Sequence, residues 1–255
     1  MKIALYQGPP IGGDIEAGFT RLNAQTRAAA LAGAEMIVFP ELFLPGYNRP
    51  DLHESLSQPQ GGEWWDRAAA IAKAAGCGLT LGWAERDGDT VYNAATAFGP
   101  DGAVLGHYRK IQLFGPMENA SYSPGASHCI FEFVGIRTAL MICYDVEFAS
   151  HVRDLAVKGV KLLLVPTANP AGFEHVSTAF IPARAAEVGV TVVYANFCGT
   201  EQSATYGGHS LICAPDARPL ASAGTTETLL IADIDRPVPE FLKTTQLADF
   251  RELPA

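Results

Sequence analysis

A chain of 255 residues at 48% hydrophobic content holds enough apolar material for one sizeable core, and length alone leaves one large domain or two small ones open. Its 18 Lys and Arg against 27 Asp and Glu give a net charge of −9, which argues against a nucleic-acid binder with its basic stripe and against an anionic membrane surface as partner. Five cysteines without a CxxC spacing disfavour a disulfide framework or zinc site and fit a reduced, cytoplasmic setting.

Lys2–Tyr6 reads as a buried strand closed by Gln7-Gly8-Pro9-Pro10. It is too short for an export-signal core, and no later stretch reaches the roughly 18 apolar residues of a membrane span. Asp14 is placed to cap a helix over Ile15–Leu31, with Ile15, Phe19 and Leu22 on one face and Gly33 ending it. Met36–Phe39 is a second apolar strand, closed by Pro40. Gly61-Gly62 precedes an Ala-rich helix running to Ala75, its inner stripe expected at Trp65, Ala69 and Ala72. Leu79–Trp83, Val91–Phe98 and Ala103–Tyr108 follow as strands, the last two joined by a Pro100-Asp101-Gly102 turn. Ile130–Val134 and Arg137–Ile142 flank Gly135 as a hairpin, and a helix is expected from Ala149 to Lys158. Leu162–Val165, Thr191–Asn196, His209–Ala214 and Thr228–Ile234 complete a strand-rich second half. Beyond Arg236 a stretch mixing Pro and charge reads as an arm toward a partner subunit.

One segment echoes another. Gly33-Ala34-Glu35-Met36-Ile37-Val38-Phe39-Pro40 matches Gly159-Val160-Lys161-Leu162-Leu163-Leu164-Val165-Pro166 in register, each a helix stop, a buried strand and a closing Pro. Two such units suggest similar halves of one α/β sandwich rather than two independent domains.

Four side chains stand out for chemistry. Cys143 ends an apolar strand, Leu140-Met141-Ile142, just before a helix; a thiol at such a junction can face backbone N–H groups that favour thiolate and donate to an oxyanion. Glu41 follows Pro40 between apolar neighbours, a setting that raises a carboxylate pKa toward the range useful for proton transfer. Lys110 closes a strand in Tyr108-Arg109-Lys110, where a buried ammonium could neutralise an oxyanion. Glu118, eight residues on, could pair with that ammonium or hold a substrate amide nitrogen. Taken singly, each also fits a bland reading: a buried structural thiol, a strand-end carboxylate turned to water, a surface Lys, a solvated loop acid. Cys77, Cys129, Cys198 and Cys213 lack the junction context and read as structural.

Jointly the residues resemble the nitrilase superfamily of carbon–nitrogen hydrolases. The resemblance is carried by Pro40-Glu41, Tyr108-Arg109-Lys110, Glu118 with Ser123-Pro124-Gly125, Cys143-Tyr144-Asp145, Val165-Pro166-Thr167-Ala168-Asn169, Arg184-Ala185-Ala186-Glu187 and Tyr194-Ala195-Asn196, in the family's order from Met1 to about Asp233. Phe148 is followed by Ala149-Ser150 where the family often has Pro-Glu, and Val188 stands where relatives often carry Asn. The resemblance implies a four-layer α-β-β-α sandwich, no metal or organic cofactor, and at least a homodimer. It implies that Cys143 attacks an amide carbonyl, that Glu41 moves the protons, that Lys110 and the Tyr144 backbone N–H hold the oxyanion, and that Glu118 orients the amide nitrogen. The loops look most like compact aliphatic amidases, including those for ω-amino amides; a nitrilase or an N-carbamoyl-amine hydrolase would share the same set. An α/β-hydrolase elbow is disfavoured, because Met141 and Asp145 stand where small glycines belong. None of the six histidines lies in a papain-like signature, no GxGxxG or P-loop appears, and a scaffold that had lost catalysis would be expected to lack Glu41, Lys110 or Cys143.

Overall fold

The computed structural model describes residues 1–251. The first half runs β1 (Lys2–Gln7), α1 (Ile15–Leu31), β2 (Met36–Val38), α2 (Pro50–Leu56), α3 (Glu63–Ala75), β3 (Gly78–Asp87), β4 (Thr90–Phe98), β5 (Val104–Arg109) and α4 (Gly115–Ser121). The second runs β6 (Cys129–Phe133), β7 (Ile136–Leu140), α5 (Ala149–Val157), β8 (Leu162–Pro166), α6 (Ile181–Val188) and β9 (Thr191–Ala195), then β10 (Cys198–Glu201), β11 (Ala204–Gly207), β12 (Leu211–Cys213), β13 (Pro219–Ser222), β14 (Thr228–Asp233) and α7 (Gln246–Asp249). Two six-stranded sheets form, ordered β14-β1-β2-β3-β4-β5 and β13-β12-β9-β8-β7-β6, beside the small β10–β11 hairpin.

The echoed segments occupy equivalent places. β1, β2 and β3 are parallel, with α1 and α3 in the crossovers; β7, β8 and β9 are parallel, with α5 and α6 in theirs. Strand alternation then sorts side chains into layers. Ile3, Leu5, Met36 and Val38 face Leu162, Leu164, Val193 and Ala195 between the sheets. Ala4, Tyr6 and Ile37 point the other way, onto Phe19, Leu22, Trp64 and Ala68 of α1 and α3. Leu163, Val165 and Val192 do the same against Val152, Leu155, Ile181 and Ala185 of α5 and α6. The result is the α-β-β-α sandwich expected.

Several predicted elements shift. Asp14 caps α1 as read, its Oδ1 accepting from Ala17 N at 3.0 Å. The inner stripe of α3 is Trp64, Ala68 and Ala72 instead of Trp65, Ala69 and Ala72. In an Ala-rich helix the phase is set by which Trp is buried; Trp65 packs at the margin, edge-on to Trp83 and Phe98. The predicted strand from His209 begins at Leu211, because His209 has a left-handed φ of 54°. Helices α2, α4 and α6 were not predicted; one π turn over Val176–Phe180 leads into the last. Past Arg236 the chain lies on α5 and α6, with Thr244 Oγ1 donating to Glu187 O and the Arg153 guanidinium 3.9 Å over the Phe250 ring. Among the described residues no helix is long and apolar enough to cross a membrane.

Candidate active site

The site forms where the carboxyl ends of the parallel strands of both sheets meet, the usual place for a ligand in an open α/β sheet. Two residues past β2, Pro40 delivers Glu41, whose backbone N–H donates to Thr167 O at 3.2 Å, just past β8 in the opposite sheet. The Glu41 segment lies against β3 at Gly82: a Cβ there would sit 2.5 Å from Pro40 O and 2.8 Å from Glu41 Cα, so only glycine admits this approach. Leu42, next in line, adopts φ 46°.

Strand alternation at the end of β5 separates three neighbours. Arg109 turns outward to Glu85 at 2.6 Å and Asp87 at 2.8 Å. Tyr108 and Lys110 turn inward, and Lys110 is anchored by its N–H to Asn93 O at 2.8 Å and by its carbonyl, which accepts from Gly125 N at 2.7 Å. Its ammonium donates to Glu41 Oε1 at 2.6 Å and to Glu118 Oε1 at 2.7 Å, all three side chains being fully buried. Glu41 Oε1 also accepts from Asn93 Nδ2 at 2.7 Å. Glu118, on α4, accepts from Tyr47 Oη at 2.7 Å and from Phe114 N at 3.0 Å.

This chain of charges has a definite electrostatic consequence. Burial raises the Glu41 carboxyl; the Lys110 charge and the Lys110 and Asn93 hydrogen bonds oppose it, Glu118 adds to it, and the balance lies at about 7. Burial alone would lower Lys110, but the charges of Glu41 and Glu118 reverse that and hold the ammonium protonated. A buried ion cluster of this kind is poor evidence for stability, since desolvation offsets most of its attraction. It is better placed to do chemistry. Glu41 Oε2 is buried and has no hydrogen-bond partner.

Cys143 follows the end of β7 and opens a single 3₁₀ turn, Cys143–Glu147. Its φ is 44°, a left-handed conformation that costs a non-glycine residue about 1–2 kcal/mol and is held only where surroundings enforce it. Asp145 ties the turn down: Oδ2 accepts from Ile142 N at 3.1 Å and Tyr108 Oη at 2.8 Å, while Oδ1 accepts from Gln112 N at 2.7 Å. The Tyr108-Arg109-Lys110 and Cys143-Tyr144-Asp145 motifs are therefore one hydrogen-bonded unit. Arg184 fastens the far end, donating from Nη2 to Glu147 O at 2.8 Å.

Cys143 lies on a short 3₁₀ turn, and α5 begins a few residues later, at Ala149, as the sequence indicates. Burial and the Glu41 charge raise the thiol well above its ordinary value, against opposing help from Lys110 and the Ala168 backbone. A thiol shifted in that direction calls for a base beside it.

Glu41, Lys110 and Glu118 are in direct contact, and Cys143 is close enough to be influenced by all three charges. Tyr144 is on the same turn, its ring edge-on to Phe114 and Phe148. Phe173 packs edge-on to Phe114 and extends this aromatic wall outward. Asp145 and Thr167 entered only as members of the quoted motifs, without a role of their own; Asn93 and Tyr47 were given none, although Asn93 left a signal as one amide inside the apolar run Val91–Phe98. Among the described residues no group of three or more His, Cys, Asp or Glu is placed to hold a metal ion, and all five cysteines are free.

The family described as carbon-nitrogen hydrolase matches this chain over residues 2–243. The chain is 40% identical over 239 residues to a protein of Pseudomonas protegens named "Hydrolase in pqqF 5'region", spanning 92% of this chain and 83% of that protein. It is 34% identical over 227 residues to omega-amidase NIT2 of Xenopus tropicalis, spanning 82% and 79% of the two chains. Its fold superposes with a TM-score of 0.90, at 32% identity over 98% of this chain and 96% of the other, on a mutant amidase from Nesterenkonia sp. AN1 that carries acrylamide added at its active-site cysteine.

Proposed function

The chain belongs to the carbon–nitrogen hydrolase family and is a hydrolase of carbon–nitrogen bonds; from that premise we propose that it is an amidase converting small aliphatic amides, ω-amino amides included, to the acid and ammonia through a thioester on Cys143. The observation that carries the reading is the division of labour in the buried Glu41–Lys110–Glu118 chain. Glu41 uses Oε1 for Lys110 and Asn93, leaving Oε2 free to take a proton. Lys110 has three N–H donors and uses two on carboxylates, leaving one for an oxyanion.

The reaction follows from those vacancies. Glu41 Oε2 takes the Cys143 proton as Sγ bonds to the amide carbon, and the electron pair moves to the carbonyl oxygen. The third Lys110 N–H and the Tyr144 N–H hold that oxyanion. Collapse expels the amide nitrogen, which takes the proton from Glu41 and leaves as ammonia. Glu118 holds the nitrogen in line and keeps Lys110 charged. Glu41 then deprotonates water, which displaces Sγ from the thioester and regenerates the thiol. An acidic surface at −9 steers neutral or cationic amides better than anionic ones.

An ammonia-release screen over aliphatic amides, ω-amino amides, carbamoyl compounds and nitriles tests the reading. Release is expected from the first two classes and at background level from Cys143→Ala of unchanged circular dichroism. Undiminished release by that variant rejects the mechanism, and release from nitriles or carbamoyl compounds alone rejects the substrate class.

A further inference from the structure

We propose that Glu201, on the β10–β11 hairpin outside the reacting set, is a positioning residue that fixes the Glu118 carboxylate through Asn48, Tyr206 and Tyr47. The inference rests on the amidase reading, in which Glu118 orients the amide nitrogen. Glu201 is 4% exposed and grips residue 48 from two sides: its Oε2 accepts from Asn48 N at 2.6 Å, and its backbone carbonyl accepts from Asn48 Nδ2 at 3.0 Å. The same Oε2 accepts from Tyr206 Oη at 2.9 Å. Tyr206 stands edge-on to Tyr47 with ring centroids 6.4 Å apart, and Tyr47 Oη donates to Glu118 Oε1 at 2.7 Å.

The chain wraps this carboxylate closely. Oε1 of Glu201 is buried without a partner. It lies against Gly46, where a Cβ would come within 2.3 Å of it and where φ is 124°. Residues 46–48 are thus moulded onto Glu201, and Tyr47 is the middle residue of that clamp. The hairpin is tied in turn to the end of β8: Gly207 N donates to Asn169 O at 3.0 Å and Tyr206 bridges Pro170. That segment also carries Thr167, which accepts from the Glu41 backbone. Burial raises the Glu201 carboxyl, opposed by the Asn48 and Tyr206 hydrogen bonds and by Arg49. An isolated buried acid is expensive to keep, and here both donors to its side chain belong to the clamp on Tyr47.

Releasing the clamp leaves the Glu118 carboxylate held by Lys110 on Oε1 and Phe114 N on Oε2 alone, so it loses the third donor that fixes its tilt toward the substrate nitrogen. The loss appears in kcat more than in KM, because misplacement of about 1 Å costs up to about 100-fold in rate.

The test compares wild type, Tyr47→Phe, Glu201→Ala, Glu201→Gln and the Tyr47→Phe/Glu201→Ala double variant in two readouts. The first is kcat and KM on an amide that the wild type turns over. The second is the labelling rate of Cys143, followed by peptide mass, with iodoacetamide, which presents a primary amide, and with methyl methanethiosulfonate, which does not. Tyr47→Phe and Glu201→Ala are each expected to lower kcat by about 10- to 100-fold and to slow iodoacetamide but not methanethiosulfonate labelling. Glu201→Gln, which keeps an acceptor for Asn48 and Tyr206, recovers most of the loss, and the double variant is no slower than the slower single. An additive double loss, or wild-type kcat in Glu201→Ala, overturns the inference while leaving the amidase reading intact. A wild type that turns over no amide but retains the labelling split overturns that reading and leaves the clamp standing; equal slowing of both reagents overturns the clamp. If Glu201→Ala does not fold, Tyr206→Phe replaces it, removing one hydroxyl from the same chain with the same expected non-additivity.

Discussion

At the scale of single residues, the proposed chemistry depends on one carboxylate serving as base and then acid. Glu41 near 7 is matched to that double duty, because a proton carrier works best when its pKa lies close to the working pH. As a base Glu41 must be ionised, so kcat/KM should fall as pH drops below about 7, approaching tenfold per pH unit, and the limb belongs to the coupled Glu41–Lys110–Glu118 set. Asn93→Ala removes a donor that favours the charged carboxylate, so the limb should move to higher pH; an unmoved limb in a stopped ammonia assay would remove Asn93 from the mechanism. Lys110→Gln should lower kcat by at least about 10²–10³ through the lost oxyanion donor, whereas a rate near wild type refutes that role. The raised pKa of Glu41 was legible in sequence as one of two readings, because an acid between Pro40 and Leu42-Phe43 at a strand end is either desolvated or turned back to water. The upward shift of the Cys143 thiol was not, because it depends on burial by chain distant in sequence.

At the scale of elements, the missed helices share a cause. α2, α4 and α6 each begin with proline in the first turn, at Pro50, Pro116 and Pro182. Proline is read most easily as a breaker, yet at the first helical positions its missing N–H costs nothing and its φ is already helical. α4 carries Glu118, so reading Pro116 as a start would have moved that residue from a loop to a helix. Strands were easier: β3 and β4 are apolar runs that end in the turn residues Asp87-Gly88 and Gly99-Pro100-Asp101-Gly102. What sequence does not reveal is how they are fastened. Glu85 of β3 holds His107 and Arg109 of β5 across β4. Burial would raise this carboxyl, but the hydrogen bonds from His107 and Arg109, with their charges and Gln60, bring it down from 4.5 to about 2. An acid whose pKa falls on folding stabilises the protein above its unfolded value and loses that contribution as pH falls through its folded value. Urea unfolding should therefore find Glu85→Gln weaker than wild type at pH 7 by up to about 3 kcal/mol. The gap should close between pH 4.5 and about 2; a gap that persists unchanged at low pH would place its origin in packing rather than charge.

At the scale of the whole molecule, the doubling was legible because a helix stop, a short apolar strand and a closing Pro recur at Gly33–Pro40 and Gly159–Pro166. The closure of the first sheet was not: β14 pairs with β1 from Lys2↔Asp233 to Gln7↔Thr228, and no local pattern announces a partner so far along the chain. The stacking of the two sheets has a consequence for activity. Glu41 and Lys110 hang from one sheet, Cys143 from the other, and Tyr108 of β5 bonds Asp145 of the Cys143 turn across the gap. Neither sheet holds the complete proposed site alone, so that site should persist as long as the sheets stay stacked and vanish when they part. Leu162→Ala examines this from a distance, because Leu162 is buried between the sheets at the amino end of β8, about 16 Å along the strand from Thr167 at about 3.3 Å per residue. The cavity should cost about 2–5 kcal/mol and lower the melting temperature by about 5–15 °C, leaving kcat and its acid limb at 25 °C as in wild type. On heating either protein, loss of amide hydrolysis should coincide with the near-ultraviolet circular dichroism transition. Activity lost well before that transition would mean that the Cys143 turn melts by itself, and that the strained φ of Cys143 is held by its immediate hydrogen bonds rather than by the stacked sheets.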